Sequence, residues 1–216
     1  MSIFFELNAV VKSSDFLFLR SCINMLNENG WEYNSVIKGR YYASIDAPMM
    51  ISEKSFSVCE VTLNTSDKKC TIDDSIYQLY SPIVYLGKKI DDRSIMCVIT
   101  AEESSNKNYK TLSIAIEYDD IEQMPNRDII FKTDLLNVWE KVIVLTNAYY
   151  ADVLIEGEEI DFPTNALPLD ELQGYWVYIS NEMWVANNYC SNSGVGRITH
   201  LNEGYLIERL VDLWKY

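Results

Sequence analysis

Histidine is almost absent from this chain: His200 is the only one. A histidine-rich metal site is thereby excluded, and a Ser-His-Asp or Cys-His pair would have to use that single residue. His200 lies in a proposed β-hairpin beside Thr199, where a structural or surface role is expected. Phosphate-binding loops are missing as well. Ser193-Gly194-Val195-Gly196 comes nearest, but it lacks a third glycine in register and a following Lys-Ser or Lys-Thr. No G-x-S-x-G nucleophile elbow occurs, and no C-x-x-C pair. Cys22, Cys59, Cys70, Cys97 and Cys190 are odd in number and widely spaced, which suits reduced thiols in a cytosol. Most are expected to be buried small hydrophobes. No apolar run approaches the roughly eighteen residues of a membrane span. Met1-Ser2-Ile3-Phe4-Phe5-Glu6 has neither the basic region nor the apolar core of a signal peptide. The expectation is a cytoplasmic protein without membrane attachment.

Positive charge is the other shortage. Net charge is −14, from 18 Lys and Arg against 32 Asp and Glu, and the sequence pI is about 4.4. Such a surface repels nucleic-acid backbones and anionic membranes, and no basic patch exceeds Lys68-Lys69 or Lys88-Lys89. Between Lys141 and Arg197 there is no Lys or Arg at all. That interval carries Asp152, Glu156, Glu158, Glu159, Asp161, Asp170, Glu171 and Glu182. Among them stand Tyr149, Tyr150, Phe162, Tyr175, Trp176, Tyr178, Trp184 and Tyr189. Acids steer an encounter with a basic partner and aromatics anchor it. From this pattern Glu156, Glu158, Glu159, Asp161, Glu182, Trp184 and Tyr189 are the candidate partner-binding residues. The plain counter-reading is that the acids are solvated and the aromatics are core.

What is abundant is apolar and aromatic: 48% hydrophobic residues, with 15 Tyr and 5 Trp. A core that needs neither disulfide nor metal is expected. Ile3 to Val11 predicts a strand. Ser13-Ser14-Asp15 offers N-cap groups, and Phe16, Leu19, Ile23 and Leu26 recur at helical spacing before Gly30, so residues 15–29 predict a helix. Phe56 to Leu63 and Ile95 to Ile99 predict strands, and the segment from Ile72 to Leu86 is ambiguous around Pro82. Leu112, Ile114, Ile116 and Tyr118 alternate with smaller or polar residues, the clearest strand in the chain, antiparallel to the Ile95 run. Thr133-Asp134 predicts the start of a second helix over residues 134–154, its apolar face running from Leu135 through Trp139 and Ile143 to Tyr150 and Val153, with Glu156-Gly157-Glu158-Glu159 closing it. Tyr175 to Ser180 predicts an internal strand, with Tyr175, Val177 and Ile179 in the core. Arg197 to Leu201 and Tyr205 to Leu210 predict a hairpin about Asn202-Glu203-Gly204, with Gly204 left-handed, although Leu206, Ile207, Leu210, Val211 and Trp214 also fit a helical stripe and leave 205–214 open between strand and helix. The fold class expected is α+β: residues 1–216 as a single domain, with a mixed, mostly antiparallel sheet packed with two main helices.

Catalytic chemistry finds little support. The carboxylate pairs Asp73-Asp74, Asp91-Asp92, Glu102-Glu103, Asp119-Asp120 and Glu158-Glu159 do not have the alternating spacing of a calcium loop. Adjacent residues on a strand point to opposite faces. No catalytic residue, metal ligand or cofactor site is therefore assigned.

The C-terminal third resembles bacterial immunity proteins of polymorphic or contact-dependent toxin systems. The likeness lies in a long aromatic helix, then Gly174-Tyr175-Trp176-Val177-Tyr178-Ile179-Ser180, then Gly196-Arg197-Ile198-Thr199-His200-Leu201 leading through Gly204 into Leu206-Ile207. The resemblance implies a small α/β protein that occludes a cognate toxin and uses no cofactor. The expected partner is a protein toxin of basic character, met by a monomer or weak dimer. Two other readings stay open: a small-molecule enzyme using carboxylate and Tyr groups, and a non-catalytic scaffold subunit.

Overall fold

The computed structural model describes residues 4–33, 42–44, 81–104, 108–155, 168–172, 174–190 and 195–209. The expected strand at 56–63, the polar turn after it, acidic residues 156–161, the Ser193-Gly194 loop and the tail from Leu210 lie outside them. The chain divides into two compact units, one of residues 13–116 and one of residues 1–12 with 117–216. The fold class is α+β.

In the first unit, α1 (Leu17–Glu28) buries Leu19, Cys22, Ile23 and Leu26, the spacing that one helical face requires. Asp15 Oδ1 accepts from the Leu17 N–H at 3.0 Å, and Gly30 turns left-handed after the last turn, which lets the Trp31 N–H reach back to the Leu26 carbonyl. β2 (Glu32–Tyr33) and β3 (Tyr42–Ser44) each pair with β4 (Ser81–Ile90), which pairs with β5 (Arg93–Glu103), which pairs with β6 (Tyr109–Glu117), all antiparallel. The ambiguous segment around Pro82 thus resolves as strand from Ser81 onward. β6 keeps its alternation, burying Leu112, Ile114 and Ile116. Lys110 shares that buried face: its ammonium lies 3.0 Å from Glu103 Oε1 and 5.0 Å from the Phe16 ring centre.

In the second unit the strand order is β1-β7-β8-β10-β9, with β1 Phe4–Lys12, β7 Tyr150–Ile155, β8 Trp176–Ser180, β9 Arg197–Leu201 and β10 Gly204–Glu208. Each of these pairings is antiparallel. α2 (Tyr118–Glu122) follows β6 and is succeeded by α3 (Arg127–Ile130). A π-helical segment, Phe131–Leu136, carries α3 on into α4 (Asn137–Thr146). Phe131 stands 4.9 Å from Phe5 and 5.3 Å from Trp176, centre to centre. The Trp139 indole N–H donates to the Asn8 carbonyl at 3.4 Å. This helical run therefore covers the sheet face that carries Phe5 and Trp176.

The second helix differs from expectation at both ends. Thr133 does not cap it; it lies inside, its hydroxyl donating to the Ile129 carbonyl at 2.9 Å, the back-bond by which a mid-helix threonine satisfies itself. The helix stops at Thr146, well before residue 154. Asn147 takes a left-handed conformation (φ 49°, ψ 52°), and the Ala148 N–H closes on the Ile143 carbonyl. Tyr150 and Val153 belong to β7, not to a helix. All six residues of β7 are buried. A strand covered on both faces shows no alternation, so its apolar run imitates a continuing helix. Gly204 is also not left-handed; it sits in β10 opposite Leu201, and the two-residue link is Asn202-Glu203.

Candidate functional site

Two neighbourhoods of the second unit hold the chemistry. The first begins at Ser180, whose hydroxyl caps α5 (Asn181–Ala186) by accepting the Met183 N–H at 3.2 Å. Asn188 is left-handed and turns the chain so that the Tyr189 N–H reaches the Trp184 carbonyl. Tyr189 then meets Trp184 edge-on, 5.6 Å between ring centres. The other side of the cluster is built by the hairpin: Tyr205 stacks on Trp184 at 3.8 Å, and His200, its cross-strand neighbour, lies 4.7 Å from Tyr205. Edge-on and offset aromatic contacts add to the burial of ring area.

Of the candidate partner-binding residues, this brings Glu182, Trp184 and Tyr189 onto one short helix-and-turn. Trp184 is only 7% exposed, so it is a support and not a projecting anchor. Tyr189 is half-buried, and Glu182 is exposed, with Lys12 Nζ 3.6 Å from its carboxylate. Val185, in the same turn, is 73% exposed. Glu156, Glu158, Glu159 and Asp161 lie outside the described residues.

The second neighbourhood is a polar seam that reading by sequence missed. Asn8 on β1 and Asp152 on β7 are directly paired, and both are 2% exposed. The Asn8 amide donates to Asp152 Oδ1 at 3.2 Å, and the Tyr150 hydroxyl hydrogen-bonds the same carboxyl. Gly174 seals the seam from the β8 side: a Cβ there would stand 3.1 Å from the Asp152 Cβ. Burial pushes the Asp152 carboxyl up to about 7, with the Glu6 charge adding to it and the two hydrogen bonds opposing it. Burial also raises Tyr150 well above its ordinary range, helped by the negative charge of Asp152. Glu6 is raised by burial and partly restored by its hydrogen bond to Asn8. The signal was present in the sequence: one acid inside the apolar run Tyr150-Ala151-Asp152-Val153-Leu154-Ile155. Counting Asp152 with the solvated acids of the base-free interval is thus corrected.

Cys22 and Cys97 are buried, and burial pushes both thiols up to about 12. Neither is a nucleophile at neutral pH. Cys59 and Cys70 lie outside the described residues. Among the described residues, no group of three His, Cys, Asp or Glu side chains is placed to hold a metal ion. No helix among them is long and apolar enough to cross a membrane. No family model, curated protein or solved structure matches this chain.

Proposed function

We propose that this protein is an immunity protein, binding a cognate bacterial toxin of basic character and neutralising it by occlusion. The observation that carries the reading is the stretch between Lys141 and Arg197, which contains acids and aromatics and no Lys or Arg. Within it, α5 offers the solvent an acid, Glu182, and an apolar side chain, Val185, on a rigid aromatic base formed by Trp184, Tyr189 and Tyr205. Exposed Asp170 and Glu171 extend the negative field. A basic partner would be steered by these charges, and contact with an apolar residue beside them would slow its departure. The resemblance of the C-terminal third to immunity proteins supports the same reading. The proposed setting is the cytoplasm, with the protein acting as a monomer or weak dimer.

The test is growth rescue. The product of the neighbouring gene is expressed alone, with this protein, and with the double variant Glu182→Lys, Val185→Asp. Rescue by the natural protein is expected, together with an affinity loss of about tenfold or more in the variant. A neighbouring product that is neither toxic nor bound sinks the proposal.

A further inference from the structure

The Asn8–Asp152–Tyr150 seam lies apart from the exposed Glu182 and Val185 of the proposed contact, and its construction is unusual for a sheet interior. A carboxyl group is held between two strands, almost without solvent, by one amide donor and one phenol donor. A buried carboxylate needs a cation or several donors to offset lost hydration. The groups that face it supply neither. From β1 come Asn8 and the half-buried carboxyl of Glu6, which repels a charge on Asp152. From β7 comes Tyr150; from β8, the apolar Val177, its register partner. Arg209, after β10, donates to the Leu169 carbonyl at 3.1 Å, and its charge bears on Tyr150. Tyr189 also bears on Tyr150. On the opposite sheet face, Trp139 reaches the Asn8 carbonyl and carries no charge.

We infer that Asp152 is a proton-operated latch on the β1–β7 ladder, closed while its carboxyl holds a proton between Asn8 and Tyr150 and loosened when that proton leaves. Protonated, the group is neutral and can still accept from Asn8 and Tyr150. Ionised, it places an unpaired charge beside Glu6 in the middle of the Phe5–Val10 ladder. The strands can relieve that only by admitting water. Burial holds the carboxyl up at about 7, so the latch works in the neutral range, and rising pH opens it.

Hydrogen–deuterium exchange of the full chain, corrected for intrinsic rates and followed by mass spectrometry from about pH 6 to about pH 8, tests this. Peptides from Phe4–Lys12 and Tyr150–Ile155 should lose protection by up to about tenfold per pH unit below the midpoint and level off above it. A peptide from Arg93–Glu103, in the other unit, should not. Asp152→Asn should make the β1 and β7 peptides insensitive to pH. Tyr150→Phe removes a donor that favours the ionised carboxyl, so its transition should move to higher pH; this variant decides the matter if Asp152→Asn does not fold. Equal pH dependence in Asp152→Asn, a flat natural protein, or a transition moved downward in Tyr150→Phe would each overturn the latch. None of these outcomes bears on toxin binding.

Discussion

Gly204 has no room for a side chain. A Cβ there would fall 2.3 Å from the Ile179 carbonyl oxygen and 2.7 Å from the Tyr178 hydroxyl, so the close approach of β10 to β8 requires glycine even though the backbone angle does not. Gly204→Ala should force β10 away from β8 and lower stability by about 3 kcal/mol or more, read by urea denaturation. The cysteines give a second prediction at this scale. Cys190 is exposed and should react with N-ethylmaleimide in the native protein. Cys22 and Cys97, buried and with raised thiol values, should be modified only on unfolding; peptide mapping separates the three. Asp152 sets the direction of a pH effect. Its folded-state value, about 7, lies above the ordinary 3.8. Below about 4 the carboxyl is neutral in both states and costs nothing. Between the two values the unfolded chain loses its proton first, so stability falls as pH rises, and the penalty is complete above about 7. At 1.36 kcal/mol per unit the ceiling is about 4 kcal/mol. Denaturation at about pH 5 and about pH 8 should show the natural protein losing more stability than Asp152→Asn, the difference isolating this group from the rest of the acidic surface.

At the scale of elements, helix ends decide the architecture of the second unit. Asn147 stops α4 by turning left-handed, and that stop releases the chain into β7 against β1. A β-branched residue resists this conformation. Asn147→Val should cost about 1–2 kcal/mol, whereas Asn147→Gly should be close to neutral, as thermal unfolding would report. The short α5 depends on its Ser180 cap. Ser180→Ala should cost about 1 kcal/mol. Because α5 carries Trp184 against Tyr205, the loss should also be visible in near-ultraviolet circular dichroism. If the proposed contact includes Glu182 and Val185, Ser180→Ala weakens partner binding without touching the partner.

For the whole molecule, charge is the governing quantity. A net −14 makes any association with a basic protein dependent on ionic strength. The association rate should fall by about tenfold or more between low and physiological salt, while dissociation changes less. Stopped-flow measurements with the neighbouring gene product would show this. A rate indifferent to salt would mean that the acidic stretch serves solubility and does not steer.

The α+β class, α1, the alternating β6, the internal β8 and the acidic balance were all legible in the amino-acid order. In each case the cause is local: spacing of apolar residues along one element, an Asp and a Gly at helix ends, or a sum of charges. Only packing showed where the second helix ends, because β7 is covered on both faces and its fully buried pattern, Asp152 included, carries no period to distinguish strand from helix. It also decided which acids are surface and which are core. Asp152 and Glu182 look alike in a stretch without bases, yet one faces Asn8 across a strand pair and the other faces water. Trp184 was legible as an aromatic beside an acid. Its near burial follows from Tyr189, brought over it by the Asn188 turn, and from Tyr205, a contact that arises only when β10 pairs with β8.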